Sequence, residues 1–320
     1  MRPRQVVFAV VTLIAVARAD AVPEARTRPG VPRGQERAAP AGPTHHIYIT
    51  AVGKDGVPVK DLAPADIKIR EDGAVKPVVA VQAATAPLTI ALLVDDTGPG
   101  LGYIREGAGQ FIQRLAGHGE IALVSIAKNI TLVDYTTRVE QLYNGVRQLQ
   151  TQNSATAVDG AYLLDAAHDA LRALQEREAE RPVIVVLTLE TTEFSSRRAD
   201  PLLDELQRSR ATLHVVALGK PVLKTMTGWN EGPTQSLRES LDETGNRHKF
   251  LEQGTKRSGG RLEQVLVDSG VPGAMIAIAD ELASQFVVVY SRGGATVAPR
   301  KIEVSVNRSG IKVRKAGTNP

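Results

Sequence analysis

The chain has 320 residues, 42% hydrophobic and 23% charged. That balance excludes fibrous and low-complexity classes and leaves room for one large domain with a small one beside it. It contains no cysteine, which excludes disulfides, thiolate zinc sites, a cysteine nucleophile and a lipid-modified N-terminal Cys. Lys and Arg number 39 against 35 Asp and Glu, a net charge of +4.

The first residues, "MRPRQVVFAVVTLIAVARADA", predict a secretory signal over residues 1–19. Arg2 and Arg4 form its basic start, and Val6 to Ala17 is an apolar run short for a bilayer span. Ala17-Arg18-Ala19 is a small-x-small cleavage site. Losing Arg2, Arg4 and Arg18 with it leaves 36 cations against 35 anions, net +1. A nucleic-acid partner is therefore not expected, nor a membrane span after cleavage. The expected location is exported, either periplasmic or secreted. Residues 20–43 are rich in Pro, Arg, Ala and Gly without an apolar period and predict a disordered linker.

Residues 44–86 predict a β segment. "HHIYITAV" is its first strand, Asp55-Gly56 a turn, and "ADIKIRED" a strand that turns at Asp72-Gly73 into "VKPVVAVQA". His45 and His46 are adjacent, so a strand aims them at opposite faces, which argues against joint metal ligation.

Residues 87–292 predict alternating strands and helices. "LTIALLVD" and "RPVIVVLTL" are continuous apolar runs, as in strands buried on both faces. "YIREGAGQFIQRLA" has helical spacing, and "EIALVSIA" with "ITLVDYT" predicts a strand pair. "RVEQLYNGVRQLQ" and "AVDGAYLLDAAHDALRALQER" predict helices, the second with Ala161, Leu164, Ala167 and Leu171 as its stripe. The helix "DPLLDELQRSR", the strand "ATLHVVALG", a polar insertion over 219–258, "GGRLEQVL", the helix "VPGAMIAIADELASQ" and the strand "FVVVYS" complete the set. Such alternation predicts a doubly wound, mostly parallel sheet. Residues 293–320 return to β, with two strands around "NRSG", and are expected to share one small flanking β domain with residues 44–86.

In such a sheet, ligands bind at the carboxyl ends of the strands. Three segments should meet there: "DDTGP" at Asp95–Pro99, the loop "NSATAVDG" with Thr156, and "VVLTLETTE" with Thr188, Leu189 and Glu190. Their order and content resemble the von Willebrand factor type A superfamily. "AVGKDGVPVKDLAPADIKIREDGAVKPV", "IADELASQFVVVYSRGG" and "RKIEVSVNRSGIKVRKAG" resemble, more narrowly, the related proteins abundant in acidobacteria. The resemblance covers roughly residues 45–316 and implies a Rossmann-like fold with a metal-ion-dependent adhesion site for Mg²⁺ or Mn²⁺.

Carried over residue by residue, the resemblance makes Asp95, Thr97 and Thr156 metal ligands. It also implies two losses: Pro99 stands where the pattern has a second Ser, and Leu189 where it has an Asp. Mg²⁺ tolerates few gaps in an octahedral oxygen shell. The expectation is thus a degraded site with no resident cofactor, or at most weak Mg²⁺ or Mn²⁺. Asp96, Asp159, Glu190 and Glu193 are nearby acids that could compensate. Asp96, Glu190 and Trp229, the sole tryptophan, are the candidate ligand contacts.

No Gly-x-Ser-x-Gly, His-Glu-x-x-His or phosphate loop is present. The reading is an exported, non-enzymatic module that binds a protein or cell-surface polymer through the carboxyl-edge face. The alternatives are cation-dependent binding of an acidic ligand through a residual site, and a metal-dependent hydrolase.

Overall fold

The computed structural model describes residues 44–98, 100–149, 160–219, 235–294 and 297–317. The expected signal and linker, together with Pro99, Thr156, Asp159 and Trp229, lie outside these residues.

In chain order the elements are β1 (Thr44–Val52), β2 (Ile67–Glu71), β3 (Ala74–Lys76), β4 (Val78–Ala83), β5 (Leu88–Val94), α1 (Leu101–Arg114), β6 (Gly119–Ser125), β7 (Ile130–Thr136) and α2 (Val139–Gln148). There follow β8 (Gly160–Ala161), α3 (Leu163–Glu176), β9 (Arg181–Leu189), β10 (Thr192–Glu193), α4 (Ala199–Ser209), β11 (Thr212–Leu218) and α5 (Gln235–Ser258). The last are β12 (Leu262–Val265), α6 (Val271–Ala283), β13 (Phe286–Ser291), β14 (Ile302–Val306) and β15 (Lys312–Lys315).

The central sheet runs β12-β11-β9-β5-β6-β7. It is parallel except for β7, which returns antiparallel to β6. Every residue of β5, β9 and β11 is buried, as apolar runs covered on both faces require. Leu88, Ile90, Leu92 and Val94 pack under α1, α2 and α6. Ala91 and Leu93, pointing the other way, pack under α3, α4 and α5. The fold is α/β and doubly wound. Its order reverses between β5 and β9, so the crevice at their carboxyl ends is the topological switch point.

Two antiparallel sheets flank this layer, β15-β1-β13-β4 and β14-β2-β3. They share a core of Ile49, Ala51, Ile67, Ile69, Phe286, Val288, Tyr290 and Ile302. The Asp72-Gly73 turn joins β2 to β3 with both residues at positive φ, 47° and 86°, the two-residue hairpin geometry that suits strand twist.

Three elements differ from expectation. The strand "FVVVYS" does not extend the parallel sheet; as β13 it runs antiparallel between β1 and β4. The predicted helix over "AVDGAYLLDAAHDALRALQER" starts later: Gly160 and Ala161 instead form β8, paired with β10. The polar insertion contains a 24-residue helix, α5. Among the described residues no helix is long and apolar enough to cross a membrane.

Candidate functional site

β5 ends at Val94, and the chain stays extended for one more ladder bond, Asp95 N to Leu187 O at 2.8 Å. Successive side chains then diverge. Asp96 turns toward β6 and accepts a 2.6 Å bond from Ser125 Oγ. Asp95 turns toward β9. Its Oδ1 accepts from the Thr97 hydroxyl at 2.6 Å and the Thr97 amide at 3.2 Å, an Asx turn. Its Oδ2 accepts from the Leu189 amide and the Thr188 hydroxyl, both at 3.1 Å, and from the Thr191 hydroxyl at 3.4 Å. Asp95, Asp96 and Thr97 are no more than 2% exposed, so none offers its side chain to solvent.

A fully buried carboxylate needs a counter-charge. Here that charge is Arg247, near the middle of α5, with a side chain 2% exposed. One guanidinium nitrogen, Nη2, lies 3.3 Å from Asp95 Oδ2, donates to Leu189 O at 2.7 Å and bonds the Thr188 hydroxyl. The other, Nη1, donates to Glu193 Oε2 at 3.1 Å. Glu193 is 1% exposed. Its Oε1 accepts from the amides of Ser195 at 3.2 Å and Leu164 at 3.4 Å. Burial raises the Glu193 pKa above the ordinary carboxylate range, with Arg247 and the amide bonds pulling the other way. The arginine thus ties together the ends of β5, β9 and β10.

Among the described residues, those at the end of β5 do not form a donor set for a divalent cation. Asp95 has both oxygens engaged, and the Leu189 side chain, which brings no oxygen, packs onto Gly98. Among the described residues no group of three His, Asp or Glu side chains is arranged to hold a metal ion.

The structure brings Asp95 and Thr97 together, directs Asp96 away from them, and sets Glu190 beside α5, where Glu190 Oε2 lies 3.4 Å from His248 Nε2. The residue that composition and spacing missed is Arg247. It sits in a polar stretch, 152 positions from Asp95, and no local period links the two.

No family model matches the chain, and no characterised protein matches its sequence. Similar solved structures include an aerotolerance-related membrane protein from Bacteroides fragilis, 14% identical at a TM-score of 0.44, covering 61% of this chain and 98% of that one. BatB from Bacteroides thetaiotaomicron aligns at 12% identity and 0.40, over 61% and 98%. A von Willebrand factor type A protein from Catenulispora acidiphila aligns at 9% and 0.46, over 85% and 73%. With TM-scores below 0.5 these likenesses place no function on the chain; the architecture rests on the strand order above.

Proposed function

We propose that this chain is an exported, non-enzymatic binding module of the von Willebrand type A kind, periplasmic or secreted. In this reading it recognises a protein or surface polymer through its carboxyl-edge face, and its metal-ion-dependent adhesion site is degraded. The observation that carries the reading is a set of exposed apolar side chains at that edge. Tyr103, Ile130, Phe194, Leu266 and Val267 are all exposed, and all belong to segments that begin or leave at the carboxyl edge of the sheet. The segment with Leu266 and Val267 runs directly into Asp268, whose carboxylate lies against Gly100 at the start of α1. Exposed apolar groups on segments at this edge suit an interface better than a reaction centre. Cation-dependent capture of an acidic ligand is not favoured, because the carboxylate it would need, Asp95, is already paired.

The test uses the chain from Asp20 onward, immobilised and exposed to cell-envelope extract, with Leu266→Asp/Val267→Asp as the comparison. Retention of the captured partner should fall at least about tenfold, equivalent to ~1.4 kcal/mol, with melting unchanged. Capture that is indifferent to both substitutions would remove the carboxyl edge from the reading.

A further inference from the structure

We propose that Arg247 stands in for the metal ion and Glu193 for the acidic group that such an ion would capture, so that the site is closed on itself and needs no cation. This rests on reading the carboxyl edge as a former cation site, and it goes further by naming what replaced the ion.

The argument follows the donors. A cation at the end of β5 has two tasks: to neutralise the first aspartate and to hold neighbouring loops to it. The Arg247 guanidinium does both. It meets Asp95 Oδ2, the Thr188 hydroxyl and the Leu189 carbonyl, which lie on the two strands flanking the switch point. An ion would keep one position open for an outside carboxylate. Here that position belongs to the chain's own Glu193, 3.1 Å from Nη1 and fixed by two backbone amides. A planar fork of fixed donors suits this role, because it serves two acidic partners from one buried group. The losses inferred from the sequence then acquire a physical order. With the guanidinium in place, an aspartate at position 189 would bring a further negative charge to a site that already has its cation, whereas Leu189 packs against Gly98 without one.

A prediction about repair follows. Pro99→Ser with Leu189→Asp restores an oxygen set, yet it should still fail to bind Mg²⁺ or Mn²⁺, because the guanidinium remains. Adding Arg247→Ala to that pair should create binding. Calorimetric titration of each ion into the chelator-treated protein reads this directly. The parent and the Pro99→Ser/Leu189→Asp variant should give no heat, and the triple variant should bind at least about tenfold tighter than either (~1.4 kcal/mol). The parent's melting temperature should also be the same with Mg²⁺ and with chelator, a measurement that needs no variant to fold. Removing one member of a buried ion pair costs about 3–5 kcal/mol, so Arg247→Met alone should raise the unfolding constant by roughly 10²–10⁴-fold.

Specific binding by the parent, or by the Pro99→Ser/Leu189→Asp variant with Arg247 intact, would overturn the proposal. So would a folded triple variant that stays silent, or an Arg247→Met protein as stable as the parent. None of these readouts depends on the unidentified partner, so they fail separately from the capture experiment.

Discussion

The Tyr290 hydroxyl donates to Glu71 at 2.7 Å, joining β13 of one flanking sheet to β2 of the other. Arg292 Nε closes the other side of the same carboxylate, 3.0 Å from Oε2. Glu71 is 5% exposed, so its charge depends on these two partners and on Lys76 at 3.7 Å. Glu71→Ala leaves Arg292 without its carboxylate and should cost about 3–5 kcal/mol. Tyr290→Phe removes only a neutral donor and should cost about 1 kcal/mol. Urea unfolding of the two variants checks the order, which should not invert.

The two ends of the chain hold each other. β1 pairs with β15 from Ile49 to Val52, and β2 pairs with β14 along its whole length. Deleting residues 298–320 leaves β2 with only the short β3 beside it, and a two-stranded hairpin is marginal in water. Residues 44–83 should then become protease-sensitive while the helical circular dichroism of the central layer persists. Unchanged protection of that segment would show that β13 alone holds it.

His214 gives the protein an acid-side weakness. It lies in β11, fully buried, and neither ring nitrogen has a hydrogen-bond partner. Burial drives its pKa down to about 3, helped by the charges of Arg314 and Arg261. A depressed pKa means that the unfolded chain takes up this proton first. The stability due to neutral His214 is therefore complete above about pH 6.5 and is lost toward pH 3, at about 1.4 kcal/mol per pH unit. His214→Leu should flatten that slope and gain about 2 kcal/mol over the parent at pH 5, as read from melting curves across the range.

Arg181 anchors the amino edge without a carboxylate. It donates to Ala86 O at 2.6 Å, Leu282 O at 3.1 Å and Gln285 Oε1 at 2.7 Å, and its guanidinium lies 5.3 Å from the centre of the Tyr48 ring. Two of the acceptors come from the end of α6 and the turn after it. Arg181→Met leaves those carbonyls buried and should cost about 3 kcal/mol. Arg181→Lys should recover little, since one ammonium cannot reach all three acceptors in the same plane. Denaturant midpoints distinguish the two outcomes.

What the sequence disclosed follows from how each element is stabilised. β5, β9 and β11 are read correctly because burial on both faces leaves an unbroken apolar run, and the Asp72-Gly73 turn because its backbone demands those residue types. β13 is equally apolar, so its run gives no sign that its partners are β1 and β4 rather than the central strands. α5 is hidden for the opposite reason. Its sequence is mostly polar, and it is seated by a few groups such as Phe250, Leu251 and the buried Arg247. The pair Asp95–Arg247 is a contact between distant parts of the chain, and such pairing leaves no mark on local periodicity.

Carrying the positive charge on a helix changes the stoichiometry of the site. A dissolved ion occupies a site according to its concentration and affinity, so a preparation contains filled and empty molecules whose ratio moves with the medium. A guanidinium tethered through α5 is present once in every molecule and cannot be dialysed away. Its local concentration is set by the backbone instead of by the surroundings. If the guanidinium has replaced the ion, as proposed, a population of this protein is uniform at that edge in hard water, in soft water or in a chelating buffer.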